Sequence, residues 1–276
     1  MYLPSRSYTL FYKLNLLLEI FDDFGQNRLK KQGEEVLFAC GEAVFHEYWP
    51  LVGPEEEPGR IYRSMTWGPH VEMFILDTRT YRDVHTPDEN DATATPTMNH
   101  ILGETQKEWL LEGLKKSTRT WKFIATSVPI SYPTGWPRPE ETGYDGWSDG
   151  NDGECSGPEV ELMDIFRCIK DNNLLNVIFL SGDVHFPFCI SYDPFEDGSP
   201  LVYELGATPF HALCLPPPER GPDTSFHPNV LFSDGKLADQ SFLNFGHVEI
   251  DESGDFVFNI RDKKGKSMYE LKLQPK

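Results

Sequence analysis

A short apolar run that ends abruptly in polar residues is the feature that most constrains the fold of this chain. Val177 to Leu180 are continuously apolar, which is typical of a strand covered on both faces. Ser181-Gly182 ends the run, because glycine permits a tight turn. Asp183 and His185 follow at once, beyond the carboxyl end of the predicted strand, where open α/β sheets bind their ligands. A carboxylate and an imidazole suit a hard or borderline cation, so the pair predicts a metal or substrate site. The alternative is an ordinary loop held by hydrogen bonds.

Composition restricts the classes of function. The net charge of −19 over 276 residues argues against nucleic-acid partners. The five cysteines are scattered without a Cys-x-x-Cys pair, which predicts neither a disulfide framework nor a zinc knuckle. The run from Leu10 to Phe21 contains Lys13, Asn15 and Glu19, is too short to cross a bilayer and is not followed by a signal-peptide cleavage site. We therefore expect a soluble protein without a membrane span.

Hydrophobic periodicity predicts alternating helices and strands. Three helices are expected, one with Val36, Cys40, Val44 and Tyr48 inward, one with Gln106, Trp109, Leu110 and Leu114 inward, and one with Val160, Met163, Phe166 and Ile169 inward. Their predicted ranges are Glu34 to Tyr48, Gly103 to Ser117, and Pro158 to Asn172. Strands are expected at Arg60 to Thr66, Val71 to Leu76, Trp121 to Val128, Val177 to Leu180, Leu201 to Thr208, Phe245 to Ile250, Phe256 to Ile260 and Met268 to Leu273.

The segments between these elements differ in character. Residues 1–20 have no obvious element, and Pro209 to Leu237 is expected to be irregular. Residues 129–157 form a long loop rich in glycine, proline, aromatic and acidic residues, and loops of this length in a compact domain are often functional. No domain linker is visible after residue 20.

Five segments, in this order and spacing, together resemble one family. They are Trp67 to Phe74 running into Asp77 to Asp83, Leu102 to Leu110 with Trp121-Lys122, Tyr144 to Trp147, Ser181 to Phe186, and Tyr203 to Pro209. The pattern resembles the PhoD-like metallophosphatases (alkaline phosphatase D) over residues 21–276, with residues 1–20 unmatched. The resemblance implies an α/β (α+β) calcineurin-like metallophosphoesterase fold, with two packed mixed β-sheets flanked by helices. It also implies a centre with iron and calcium that hydrolyses phosphate monoesters or diesters.

The resemblance assigns roles to individual residues. Asp183 and His185 match the family's terminal metal-binding motif, and Asp22, Asp23 and Asn27 are candidates for further metal ligands. The segment Phe21 to Asn27 matches the family's Trp-Asp-Asp-His motif in two possible registers, and only one of them makes Asp22 and Asp23 the paired ligands. Asn27 is alternatively a cap of the next element.

Three further residues complete the predicted site. Arg79 is a candidate catalytic residue that contacts phosphate, or else one member, with Asp77, of a buried ion pair that orders the loop. Tyr144 and Trp147 are candidate substrate-binding residues, although aromatic side chains also serve as core.

The N-terminal ligands of the family have no counterpart before Phe21, so we expect an incomplete fold at the N-terminus, an incomplete metal set and impaired hydrolysis. The alternative function is a catalytically inactive relative or fragment that acts as a binding or structural module.

Overall fold

The computed structural model describes residues 8–11, 35–49, 51, 53–83, 85–86, 93–95, 97–135, 141 and 143–276. The helices are α1 (Glu35–Tyr48), α2 (Gly103–Lys116) and α3 (Pro158–Asp171), with a 3-10 turn at Gln240–Phe242. The strands are β1 (Tyr8–Phe11), β2 (Arg63–Trp67), β3 (Val71–Ile75), β4 (Trp121–Ala125), β5 (Val177–Ser181), β6 (Phe188–Tyr192), β7 (Val202–Gly206), β8 (Pro228–Ser233), β9 (Asn244–Ile250), β10 (Phe256–Asp262) and β11 (Ser267–Leu273). None of these helices is both long enough and apolar enough to cross a bilayer.

The strands form two sheets. The larger has the order β2-β3-β4-β5-β7-β6-β8, and the smaller has the order β1-β9-β10-β11. In the larger sheet β3, β4, β5 and β7 run parallel, while β2, β6 and β8 pair antiparallel with their neighbours. All pairings of the smaller sheet are antiparallel. The prediction of a two-sheet α/β fold is therefore confirmed, with a mixed larger sheet and an antiparallel smaller one.

The larger sheet is covered on both faces, as β5 illustrates. Phe179 lies in a cluster that contains Phe166 of α3, whereas Ile178 lies in a second cluster with Phe258 of β10. The second cluster joins the two sheets face to face, and the first joins the larger sheet to α2 and α3. Because both faces of β5 are buried, its residues form the continuous apolar run that predicted it.

The helix positions are confirmed, but the predicted inner face of α1 is wrong and that of α3 is only partly right. In α1 Phe45 is buried, while Val44 and Tyr48 are exposed. In α3 Phe166 and Ile169 are buried and Met163 is partly buried, as predicted, whereas Val160 is exposed and Leu162 and Ile165 complete the buried face. A stripe with a constant spacing of three or four residues drifts around the helix, because the helical period is 3.6. The mixed spacing in α3 stays on one face. In α2, Gln106, Leu110 and Leu114 are buried as predicted.

Three strands were not predicted from the sequence. β1 lies in the segment that showed no element, and it pairs with β9. β8 lies in the stretch expected to be irregular; it is an edge strand with no fully buried residue, so it lacks the alternation that marks a strand. β6 is buried throughout, and its polar Ser191 interrupts the apolar run.

Candidate functional site

Four parallel strands end at one edge of the larger sheet, and polar residues follow most of them. The parallel pairings align Ile75 with Ala125, Ala125 with Leu180, and Ser181 with Gly206, so the four strands end at the same level. The residues that follow are Asp77, Thr78 and Arg79 after β3, Thr126 and Ser127 after β4, Asp183 and His185 after β5, and Ala207 and Thr208 after β7. This edge is where open α/β sheets bind ligands.

Asp183 and His185 occupy alternate positions of the turn after β5. Val184 and Phe186 are buried, whereas Asp183 and His185 are half-buried. The main chain is anchored because Leu215 donates its N–H to the His185 carbonyl at 2.9 Å. Asp183 and His185 have φ values of 72° and 60°, in the left-handed region that residues other than glycine rarely adopt. Such conformations cost about 1–3 kcal/mol each and cluster at functional sites.

Asp77 orders the turn after β3 through the main chain. Its Oδ1 accepts hydrogen bonds from the N–H groups of Arg79 at 3.0 Å and Thr80 at 2.9 Å. The Gln106 side chain of α2 accepts from the Asp77 N–H and donates to the Asp77 carbonyl, each at 2.8 Å. The Asp77 carboxylate therefore bonds to backbone, and the ion pair of this turn involves a different acid.

That acid is Asp145. Arg79 Nη1 lies 3.5 Å from Asp145 Oδ2, and the Arg79 side chain is only 4% exposed. Asp145 Oδ1 also accepts from the Thr134 hydroxyl at 2.8 Å. Burial tends to raise the pKa of Asp145, but the neighbouring charges of Arg79 and Arg82 outweigh it and hold that pKa below its usual value. The pair thus fastens the loop that contains Tyr144 and Trp147 to the end of β3.

The two candidate substrate-binding aromatic residues differ in exposure. Trp147 is fully buried, and its indole N–H donates to Thr126 Oγ1 at 3.1 Å, directly beyond β4. Tyr144 is half-buried, and its carbonyl accepts a 2.6 Å hydrogen bond from His85 Nε2. Trp147 is therefore a core contact of the site, while Tyr144 keeps exposed surface. The ends of β3 and β4 are themselves joined by a hydrogen bond between the hydroxyls of Thr78 and Ser127.

A buried carboxylate supports the end of β5, and the sequence did not predict this role. Glu204 of β7 is fully buried and accepts hydrogen bonds from the Ser181 hydroxyl at 2.6 Å, the Tyr192 hydroxyl at 2.6 Å and the Ile130 N–H at 2.8 Å. Burial raises the pKa of Glu204, against the opposing effect of these donors. The available signal was a single acid inside the apolar strand Val202–Gly206. Such a residue needs partners, because an unpaired buried charge is costly.

The structure describes only some of the predicted metal ligands. Asp22, Asp23 and Asn27 lie outside the described residues. Within the described ranges, no third His, Cys, Asp or Glu joins Asp183 and His185 at ligand spacing. The one group of three such residues found there is Asp149, Glu159 and Asp223, none of which the sequence singled out.

Comparison with known proteins gives consistent matches. The family model described as PhoD-like phosphatase matches residues 21–263. Alkaline phosphatase D of Bacillus subtilis (strain 168) is 27% identical over 176 residues, which cover 58% of this chain and 28% of that protein. A solved structure described as "Structure of PhoD" aligns with a TM-score of 0.58 and 21% identity, covering 86% of this chain and 46% of that one. The chain thus spans less than half the length of each of these relatives, and the structural match supports the two-sheet fold.

Proposed function

Because the chain belongs to the PhoD-like phosphatase family, we propose that it hydrolyses phosphate monoesters or diesters at the edge where β3, β4, β5 and β7 end. The observation that carries the proposal is the turn after β5. There Asp183 and His185, which match the family's metal-binding motif, stand half-buried on a strained main chain at the ligand-binding edge of the sheet.

The donor set of this turn fits a metal ion. A carboxylate and an imidazole are both ligands of hard and borderline cations. In the proposal Asp183 and His185 bind the metal, Asp22, Asp23 and Asn27 are further ligands, and iron and calcium are the ions that the family resemblance implies. Such ions polarise a phosphoryl oxygen and lower the pKa of bound water.

The surrounding residues position this chemistry. Glu204 accepts a hydrogen bond from Ser181, two residues before Asp183, and so holds the start of the turn in place. In the proposal Arg79 contacts phosphate, and its ion pair with Asp145 aims the guanidinium and holds the loop of Tyr144 and Trp147 over the site. Tyr144 then contacts the substrate with its exposed surface, and Trp147 supports the loop from the core.

Hydrolysis of a chromogenic phosphate monoester and a diester tests the proposal. Turnover is measured for the wild-type chain and for the variants Asp183→Asn and His185→Ala, with calcium, manganese or iron(II) supplied. Removing a metal ligand is expected to lower kcat/KM by roughly 100-fold or more, because each ~1.4 kcal/mol of lost transition-state stabilisation is a factor of ten. His211→Ala is the matched control, since His211 is an exposed histidine of the same half of the chain.

Two results would contradict the proposal. Turnover by His185→Ala equal to that of His211→Ala would remove His185 from the site. The second result combines two measurements on the wild-type protein: calorimetric titration shows cation binding through Asp183 and His185, but neither ester is hydrolysed. It would favour the alternative function, a catalytically inactive relative that acts as a binding module.

A further inference from the structure

Three buried carboxylates meet between the long loop, the start of α3 and the segment before β8. Asp149 lies two residues after Trp147, Glu159 is the second residue of α3, and Asp223 lies between β7 and β8. One oxygen of each lies within 4.8 Å of the others, and the side chains are at most 4% exposed. No residue of this acidic cluster belongs to the phosphatase site proposed above.

Asp149 and Asp223 of the acidic cluster are held in place by hydrogen bonds from residues outside the cluster. Asp149 and Asp223 each accept one hydrogen bond from a backbone N–H two residues further on and one from a serine hydroxyl. These donors are the N–H of Asn151 (2.9 Å) and the hydroxyl of Ser156 for Asp149, and the N–H of Ser225 (2.8 Å) and the hydroxyl of Ser148 (2.9 Å) for Asp223. The two carboxylates are therefore fixed in orientation, and a carboxylate oxygen with one donor keeps further lone pairs.

The third member has an acceptor with nothing bound to it. Glu159 Oε2 accepts from the Ser156 N–H at 3.3 Å, but Glu159 Oε1 is buried and has no hydrogen-bond partner among the described residues. A buried unpartnered carboxylate oxygen costs at least as much as a lost hydrogen bond. The Glu159 carboxylate faces the carboxylates of Asp149 and Asp223, so a partner for Glu159 Oε1 must be a cation or a hydrogen-bond donor.

The acidic cluster is also uncompensated in charge. Within the described part of the chain, no lysine or arginine pairs with any of its three acids; Arg220 instead pairs with Asp152 at 3.5 Å and donates to the Gly150 carbonyl at 3.0 Å. Buried carboxylates are normally paired with a positive charge or coordinate a metal, so a cluster without a basic partner favours a bound cation.

The chemistry of the donors selects the class of cation. The ligand atoms that lie together are carboxylate oxygens of the three acids, and the nearby Cys155 is not one of that group. The ligands are then all oxygens, which hard divalent ions prefer. Magnesium usually keeps several waters and binds through one or two carboxylates, whereas calcium accepts sites built from many protein oxygens. Three buried carboxylates, one of them with an unpartnered oxygen, therefore suit calcium better than magnesium.

We propose that Asp149, Glu159 and Asp223 form a structural calcium site that fastens the loop after Trp147 and the segment before β8 to the N-terminus of α3. The bound ion satisfies Glu159 Oε1 and neutralises two of the three charges. It acts on the fold of the loop that contains Asp145, and it takes no part in hydrolysis.

Calcium binding by the full chain tests the site apart from the phosphatase centre. The His185→Ala protein, stripped of metal with a chelator, is titrated with calcium in a calorimeter, and its Tm is measured with and without calcium. We expect one bound calcium and a higher Tm in calcium, because a ligand that binds only the native state stabilises it. In the His185→Ala background, Glu159→Gln and Asp223→Asn should each weaken binding by roughly tenfold or more, since affinity follows the number of ligand charges.

Glu161→Gln is the matched control. Glu161 is a buried acid of the same helix with its own unpartnered oxygen, but among the described residues it belongs to no group of three possible ligands. Its calcium affinity should equal that of the parent. Calcium binding that Glu159→Gln and Asp223→Asn leave unchanged overturns the proposal. The proposal is also overturned if millimolar calcium does not change the Tm of the His185→Ala protein. That measurement does not require any variant of the acidic cluster to fold. Its failure would not affect the phosphatase proposal.

Discussion

Arg79 Nη1 lies 3.5 Å from Asp145 Oδ2, so a residue directly after β3 and a residue of the loop between β4 and α3 share one ion pair. The two residues are 66 positions apart in the chain. The pair links the edge of the sheet to the loop that contains Tyr144 and Trp147. The order of this loop and the position of the Arg79 side chain therefore depend on each other.

Replacing Asp145 with asparagine should reduce both stability and activity. The asparagine amide would keep an oxygen acceptor for Thr134 but would remove the negative charge that pairs with the nearly buried Arg79, which costs about 2 kcal/mol in the free energy of unfolding. Chemical denaturation measures this loss. Turnover should fall mainly through kcat, because Arg79 loses its orientation. An Asp145→Asn protein as stable as wild type would show that this ion pair does not stabilise the fold.

The stability difference between wild type and Asp145→Asn should depend on pH. The folded pKa of Asp145 is lowered relative to its unfolded value of about 3.9, so its contribution is fully present above that value and is lost as pH falls through the lower folded pKa. The denaturation midpoints of the two proteins should therefore differ most above about pH 4 and converge as the pH falls through the folded pKa of Asp145. A difference that does not shrink as the pH falls below about 4 would contradict the ionic origin.

Removing the Glu204 carboxylate should destabilise the protein severely. Glu204→Ala leaves the Ser181 hydroxyl, the Tyr192 hydroxyl and the Ile130 N–H without an acceptor. At ~1–3 kcal/mol for each buried orphan, the expected loss is about 4 kcal/mol. Tyr192→Phe is the comparison, since it removes only one donor and should cost about 1 kcal/mol. Equal losses of stability in Glu204→Ala and Tyr192→Phe would show that Glu204 does not stabilise the protein through these three hydrogen bonds.

Glu161 should prove to be the residue that starts α2. Its Oε2 accepts from the N–H groups of Ile101 at 2.7 Å and Leu102 at 3.0 Å, just before the first helical residue. Glu161→Ala orphans both and should cost about 3 kcal/mol, whereas Glu161→Gln keeps an oxygen acceptor and should cost about 1 kcal/mol. Hydrogen exchange at the first turn of α2 should accelerate in Glu161→Ala only.

Gly113 offers a test in which helix propensity and packing predict opposite signs. Alanine in the middle of α2 should stabilise by about 1 kcal/mol from propensity alone. A Cβ at position 113 would, however, lie 2.5 Å from Phe74 Cε1, and Phe74 is fully buried. We expect Gly113→Ala to destabilise by ~1–3 kcal/mol, as overpacking does.

Glu108→Ala, at an exposed position of the same helix, is the control for the Gly113 substitution and should change stability by less than about 0.5 kcal/mol. If Phe74→Leu restores Gly113→Ala, the clash is the cause, because coupled neighbours deviate from additivity. A stabilised Gly113→Ala protein would show that Phe74 gives way at little cost.

Local pattern was sufficient for part of the candidate site. The turn after β5 could be predicted because an apolar run, a Ser-Gly break and two ligand-type residues are adjacent in sequence. The partner of Arg79 could not, and the sequence favoured its neighbour Asp77. In the structure the Asp77 carboxylate bonds to the backbone N–H groups of Arg79 and Thr80, which are its nearest donors once the turn has formed.

By itself the sequence determined the order of most helices and strands, the two-sheet fold through its family motifs, and the position of Asp183 and His185 at a strand end. These are properties of short segments, whose apolar period and turn residues lie side by side. Tertiary structure decided which helix faces are buried, where β6 and β8 pair, and which acids meet. Asp149 and Asp223 come together although α3, β5, β6 and β7 all lie between them in the chain. No local pattern encodes such a contact, since it depends on how packed elements place distant side chains and on how much water their packing excludes.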